Sequence, residues 1–153
     1  MKSLNLRAIL FGRFRGAVNA ADIGLLILRV GMGVYMAVGH GFGKLPPVER
    51  FIEGVEKMGF PFPTAFAWLA AVTESIFAMM LAAGLLSRPA AFALVINMAV
   101  AAFVAHAADP FFASNPGERS KEMAMLYLMP FLCLLFTGPG KISLDRVLAG
   151  SKA

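Results

Sequence analysis

Residues 64–86 read TAFAWLAAVTESIFAMMLAAGLL, an apolar segment with a single carboxylate, Glu74, in its interior. About 20 predominantly apolar residues suffice for a helix to cross the hydrocarbon core of a membrane, so this segment is a candidate span. Residues 23–39 form a second candidate span, with Arg29 in its interior. Because a charged side chain is costly in hydrocarbon, Arg29 and Glu74 are candidates for a functional site.

Two more apolar segments, residues 89–107 and 121–137, complete a pattern of four predicted spans. Only 15% of the 153 residues are charged, whereas soluble proteins contain about 25%. We therefore predict an all-α protein, an integral membrane bundle of four transmembrane helices. The predicted regions are a basic N-terminal segment on the membrane surface (1–22), the transmembrane domain (23–137) and a cytoplasmic tail (138–153).

An additional amphipathic helix is predicted at the membrane interface between the first two spans, over residues 46–58. Its apolar positions fall on one helical face and its charged positions on the rest. The apolar residues are Val48, Phe51, Ile52, Val55 and Met58. Residues 4–18 are predicted to form a second, basic amphipathic segment on the membrane surface.

The charges indicate lipid as a partner of the chain. The net charge of +5 comes from Lys and Arg residues that flank the apolar segments, which is typical of membrane topology and of contact with anionic headgroups. We therefore predict contact with the lipid bilayer and none with nucleic acid. Lys and Arg are more numerous on the side that holds both ends of the chain, so both termini are predicted to be cytoplasmic. The single cysteine, Cys133, excludes an intrachain disulfide.

Three polar residues are predicted to share one level near the centre of the bilayer. With a rise of about 1.5 Å per residue, Arg29, Glu74 and Asn97 each lie about 15 Å from the outer end of their spans. We predict that Arg29 and Glu74 pair, with Asn97 near enough to join them. Two interpretations stay open: a polar centre that binds a headgroup or relays protons, and a structural ion pair that fixes which helices touch.

A second polar group is predicted at the outer boundary, where His40, His106 and Glu122 lie at the ends of three spans. Histidine titrates near neutral pH, so this group suits a proton-handling or ligand site. The alternative is that the histidines only contact water and headgroups. Two histidines and one carboxylate are also the minimum of a metal site, but spacing on separate helices specifies none, and we assign no metal site.

The motifs together resemble the DoxX family of small four-helix bacterial inner-membrane proteins. The resemblance extends over about residues 22–147 and rests on the order and spacing of LRVG (28–31), HGFGKL (40–45), AAVTE (70–74), GLLSR (84–88), His106 and GPGKISLD (138–145). It implies polar functional positions at Arg29, His40, Lys44, Glu74, Arg88, His106 and Glu122. The chain departs from the family pattern at Lys121, where a Trp or Gly usually precedes the glutamate.

The resemblance also implies a role in oxidation and reduction, because some members of the family associate with redox proteins. We hypothesise a redox-associated, quinone-linked subunit of an oxidoreductase complex in the bacterial inner membrane, with a headgroup site formed by Arg29, His40, Lys44, Glu74, Asn97, His106 and Glu122. The sequence contains no motif for flavin, haem or an iron–sulfur cluster, so a membrane or soluble redox partner protein is expected. The alternatives are a non-catalytic scaffold or membrane chaperone and a small transporter, and a homo-oligomer is compatible with each.

Overall fold

The computed structural model describes residues 17–115 and 117–150, which form helices and the turns between them. The prediction of an all-α protein is confirmed for this part of the chain. The predicted amphipathic segment 4–18 lies almost entirely outside the described residues. The α-helices, numbered in chain order, are α1 (Ala20–Met36), α2 (Glu49–Lys57), α3 (Pro63–Val72), α4 (Ala78–Ala83), α5 (Ser87–Val100), α6 (Glu122–Thr137) and α7 (Leu144–Ala149).

Three helices among the described residues are long and apolar enough to cross a membrane. The first long helix is Ala20–Lys44, the second is Pro63–Ala83 and the third is Ser87–Ala105. Helix α6 occupies the position of the fourth predicted span and is also apolar, but it is shorter. Its 16 residues extend about 24 Å, against a hydrocarbon core of about 30 Å.

The first long helix continues to Lys44, beyond the predicted end of the span at Gly39. The physical reason is a close contact with the second long helix. Gly41 lies directly against the main chain of Glu74, where a Cβ atom would have no room. Glycine is unfavourable in a free helix because its backbone loses the most conformational freedom. Here the packing holds the glycine-rich segment in a helical conformation.

Each long helix contains one π-helical turn, at Ala37–Gly41, Thr73–Phe77 and Ala101–Ala105. Such turns are rare and often occur at functional sites. The first two turns pack against each other. The third turn begins one helical turn after Asn97, which contacts the second turn through its side chain. The three irregular turns therefore lie near one level of the protein.

Small residues let the first and second long helices approach closely. A Cβ atom on Gly33 would collide with Ala78 and Ala82, and close approach of this kind is the usual basis of helix packing in lipid. The core contains Met36, Leu81, Leu94, Phe131 and Leu134. Large apolar side chains are exposed on the outer surface, as contact with a lipid bilayer requires: Ile27, Val38, Leu69, Phe103, Leu126 and Phe136.

The predicted amphipathic helix between the first two spans is present as α2, somewhat shorter than predicted. Its apolar face points to the rest of the protein, where Val55 is buried. Its charged residues are all exposed, and they are Glu49, Arg50, Glu53, Glu56 and Lys57. Helix α2 packs against α3, so it covers one side of the second long helix.

The segment after α6 is packed against the helices through residues 138–145, which we name the C-terminal latch. Asp145 is fully buried, and its two carboxylate oxygens accept hydrogen bonds from the N–H groups of Leu86 at 2.7 Å and Ser87 at 2.9 Å. The Lys141 ammonium lies 3.4 Å from the Asp22 carboxylate at the start of α1. The latch therefore joins the end of the chain to both the first and the third long helices.

Candidate functional site

Glu74 is the centre of a buried group of polar side chains that joins the three long helices. It lies in the second π-helical turn and is 4% exposed. Its Oε2 accepts a hydrogen bond from the Lys44 ammonium at 2.5 Å, and its Oε1 accepts one from the Asn97 amide at 2.8 Å. Both carboxylate oxygens are therefore occupied, as burial of a charged group requires. We name Lys44, Glu74 and Asn97 the polar cluster.

Arg29 belongs to a different part of the molecule, so the prediction that it pairs with Glu74 is wrong. Arg29 is buried as expected. Its guanidinium donates hydrogen bonds to three main-chain carbonyl oxygens, those of Ala82, Pro139 and Ile142. These partners lie at the end of the second long helix and in the C-terminal latch.

The length of the first long helix explains the error. Because this helix continues to Lys44, Gly41 and not Arg29 is level with Glu74. A rise of about 1.5 Å per residue places Arg29 about 18 Å from Gly41 along the helix axis. The prediction that Asn97 joins Glu74 is confirmed.

An apolar groove leads to the polar cluster between α2 and the second and third long helices. Its volume is about 460 Å³. The polar cluster lies in its wall, and the remaining lining is mostly aromatic and aliphatic. The principal apolar residues are Phe51, Val55, Phe66, Leu69, Phe92 and Ile96. We name this space the apolar groove.

A second groove lies on the other side of the Lys44–Glu74 pair, beneath the loop that precedes α6. Its volume is about 550 Å³. Several polar side chains line it, and we name it the polar groove. These include His40, His106, Arg119, Glu122 and Tyr127. The Lys44–Glu74 pair lines both grooves and so stands between a mostly apolar space and a polar one.

The two histidines have different surroundings. His106 lines both grooves, and its Nδ1 lies 2.7 Å from the Asp109 carboxylate. His40 lines only the polar groove of the two and meets the Tyr127 ring edge to face, with 5.4 Å between ring centroids. Of the seven residues predicted to form the site, the structure brings six to the two grooves and leaves out Arg29.

Sequence reasoning did not single out three polar residues: Asp109 and Tyr127 beside the two histidines, and Asp145 in the C-terminal latch. Asp109 follows His106 by three residues, a spacing that brings side chains together across one turn and could have indicated the contact. Tyr127 lies within an apolar helix, and its polar group was the only signal. Asp145 ends the motif GPGKISLD, which the sequence predicts to lie in the cytoplasmic tail, so no contact with the helices is expected for it. Within 17–115 and 117–150, no three His, Cys, Asp or Glu side chains are grouped to hold a metal ion.

Comparison with known proteins gives one family and several relatives. The DoxX family profile matches residues 24–107. An uncharacterized protein of Haemophilus influenzae is 38% identical over 123 residues, which cover 80% of this chain and 88% of that protein. A second uncharacterized protein of the same organism is 30% identical over 132 residues, covering 84% of this chain and 85% of that protein. The inner membrane protein YphA of Escherichia coli is 29% identical over 132 residues, 83% of this chain and 91% of that protein. No solved structure matches the chain.

Proposed function

The chain belongs to the DoxX family of integral membrane proteins, and on that premise we propose that it binds a quinone-like headgroup at the polar cluster. In this proposal it acts as a redox-associated subunit of a membrane complex. The observation that carries the proposal is the position of a buried, paired carboxylate in the wall of an apolar groove. Small-molecule sites are typically apolar spaces with a few well-placed polar groups of this kind.

The charge of the polar cluster favours a neutral headgroup. Lys44 and Glu74 compensate each other, so the cluster gives no net attraction to an anion or a cation. An ammonium has three N–H donors and an amide two. After Glu74 has taken one from each, Lys44 and Asn97 keep donors for the carbonyl oxygens of a ligand. A quinone ring is neutral and carries two such oxygens.

The two grooves suit the two parts of the proposed binding: one fits the apolar chain of the ligand and the other fits proton exchange. The aromatic and aliphatic lining of the apolar groove fits an isoprenoid chain that enters from the lipid. The polar groove, with its histidines and carboxylates, fits exchange of protons with water. A molecule bound between them would have its headgroup at the boundary of the two spaces.

The proposed membrane arrangement has four spans in the bacterial inner membrane. Helix α6 can cross if the bilayer thins locally, or if the Lys121 side chain at its start extends to the membrane interface while the latch follows its end. In this arrangement the even number of spans puts both termini, and the tail 138–153, on one side of the membrane. The larger count of Lys and Arg favours the cytoplasm as that side, and the two grooves then open toward the outer leaflet. The relative named as an inner membrane protein of Escherichia coli supports the location. A redox partner protein would receive or supply the electrons, and a homo-oligomer is compatible with this arrangement.

Native mass spectrometry with lipid extraction tests the proposal on the purified protein. Wild type is compared with Glu74→Gln and His106→Ala, and with Glu53→Gln on the exposed face of α2 as the control. We expect a quinone to copurify with wild type and the control and to be lost from Glu74→Gln. Glutamine leaves Lys44 without its counter-charge and turns an N–H toward one of the two donors. A well-folded wild type that retains no quinone, even when quinone is added, would refute the proposal.

A non-catalytic scaffold or membrane chaperone is the second candidate. The exposed charged face of α2 favours it, because a row of exposed charged side chains next to the bundle is suited to contact with another protein. In that case the polar cluster only holds the helices together. Glu74→Gln would then lower protein abundance in proportion to any loss of function. Normal abundance with lost function would contradict the scaffold.

A further inference from the structure

His106 is the histidine that lines both grooves, and a carboxylate fixes its orientation. Its Nδ1 lies 2.7 Å from Asp109 Oδ2. An ionised carboxylate can only accept hydrogen bonds, so the neutral imidazole must carry its proton on Nδ1. The other ring nitrogen, Nε2, is then an acceptor.

The turn that holds this pair is secured on both sides. The Asp109 N–H donates to the His106 carbonyl oxygen at 3.1 Å, which closes a single turn at the end of the third long helix. The Arg119 Nε lies 3.6 Å from the same carboxylate oxygen that contacts the imidazole. The Lys121 ammonium donates to the Ala107 carbonyl oxygen at 3.0 Å. The imidazole is therefore held by its carboxylate, and the carboxylate by the loop.

In the polar cluster each basic oxygen of Glu74 is already engaged by one donor, and His106 supplies a basic acceptor that is not engaged. Both oxygens of Glu74 already accept hydrogen bonds, and the Lys44 ammonium can only donate. These two and His106 are the titratable side chains that line both grooves among the described residues. Of the three, only His106 can take a proton on a nitrogen that has no hydrogen-bond partner among residues 17–115 and 117–150.

We infer that Asp109 is a positioning residue, which orients His106 so that Nε2 accepts the hydroxyl proton of a reduced, phenol-like headgroup. The inference rests on the proposed function. The carbonyl form of the headgroup is held by the donors of Lys44 and Asn97, and the hydroxyl form adds a hydrogen bond to His106. If the hydroxyl ionises, its O–H bond breaks, the oxygen keeps the electron pair and Nε2 gains the proton. The resulting imidazolium is stabilised by Asp109 and lies in the lining of the polar groove.

The first test measures the tautomer of His106 without any ligand. The chain contains two histidines, so a spectrum of ¹⁵N-histidine-labelled protein has two imidazoles, and His40→Gln assigns them. We expect the neutral His106 ring to carry its proton on Nδ1 in wild type and in Glu53→Gln. Asp109→Ala removes that preference and leaves the His40 ring unchanged. A wild-type His106 ring protonated on Nε2 overturns the inference.

The second test compares a reduced and an oxidised probe, decylubiquinol and decylubiquinone, on full-length protein in nanodiscs. Asp109→Ala is expected to weaken decylubiquinol binding about tenfold, the value of one hydrogen bond, and to leave decylubiquinone binding within about twofold. Asp109→Asn, which keeps the side-chain size, gives the same direction of change if Asp109→Ala does not fold. Equal effects on the two probes, or none, overturn the inference while the proposed function stands. A wild type that binds neither probe overturns both.

Discussion

Replacing Asp145 by Asn should destabilise the protein strongly, although the residue is far from the polar cluster. The Asp145 carboxylate is fully buried and accepts hydrogen bonds from the Leu86 and Ser87 N–H groups. Hydrogen bonds to a charged group contribute about 1.5–3 kcal/mol each. Asn keeps one acceptor and turns an NH₂ group toward the second N–H, so it loses one such bond and leaves a buried donor unpaired. We expect a loss of about 3 kcal/mol in the free energy of unfolding.

A matched control exists in the loop before α6. Glu118 also accepts two main-chain hydrogen bonds, from the N–H groups of Ser114 at 2.7 Å and Asn115 at 3.0 Å, but it is exposed to solvent. Water can replace these bonds, so Glu118→Gln should change stability by less than about 0.5 kcal/mol. Both substitutions replace a carboxylate by its amide. The two sites differ in burial and in geometry, because Asp145 accepts through both of its oxygens, whereas Glu118 accepts both N–H groups through Oε2 alone.

Unfolding by SDS in mixed micelles, followed by circular dichroism, measures both variants against wild type. The expected order of stability is wild type, then Glu118→Gln close behind, then Asp145→Asn well below. An Asp145→Asn protein within about 0.5 kcal/mol of wild type would refute the reasoning, because the C-terminal latch would then contribute nothing to the fold. Equal losses in the two variants would show that neither burial nor the use of both carboxylate oxygens is the cause.

Three further predictions concern the close contact, the ion pair and the topology. Gly41→Ala should lower the free energy of unfolding in SDS by about 1–3 kcal/mol, because the added Cβ meets the Glu74 main chain. Gly39→Ala, with open space around it, should not lower it. Similar stabilities of the two variants would contradict the close packing at Gly41. Lys44→Met should lower the free energy of unfolding by about 3–5 kcal/mol, because it leaves Glu74 buried without a counter-charge. Adding Glu74→Leu to this variant should recover part of the loss. If the losses of the two single variants simply add, the two side chains are not coupled. Fluorescent-protein fusions should report both termini in the cytoplasm; a C-terminal fusion on the outer side would mean that α6 does not cross.

The positions of the long helices could be predicted from the sequence because they depend on bulk properties. Runs of apolar residues and the charges between them are visible without coordinates, and the same is true of the two-faced pattern of α2. The burial of Arg29 and Glu74 followed from their apolar neighbours. The contact between Glu74 and Asn97 follows from their predicted depth in the bilayer. The predicted outer ends of these two helices lie within two residues of the observed ones.

The partners of the charged residues could not be predicted in the same way. The π-helical turns shift the register of each long helix by one residue, and nothing in composition marks such a shift. The sequence predicts the end of the first span at Gly39, which wrongly aligns Arg29 with Glu74 and leaves Lys44 outside the helix. Arg29 donates to main-chain carbonyl oxygens. Because every residue has one, the residue type does not indicate which position is the partner. Only the three-dimensional structure shows that the C-terminal latch returns to the first long helix.

The contacts of Arg29 tie the first long helix to residues that the ribosome adds after all three long helices. The first long helix is synthesised before two of the three carbonyl groups that receive its guanidinium, those of Pro139 and Ile142. The carbonyl of Ala82 arrives with the second long helix and offers one partner. Until residues 139–142 have been made, an arginine with unmatched donors stays in the half-assembled protein, which is costly in lipid. A chain that stops before residue 139 therefore lacks two of the partners of Arg29, and we expect its first long helix to be held less stably than in the full chain.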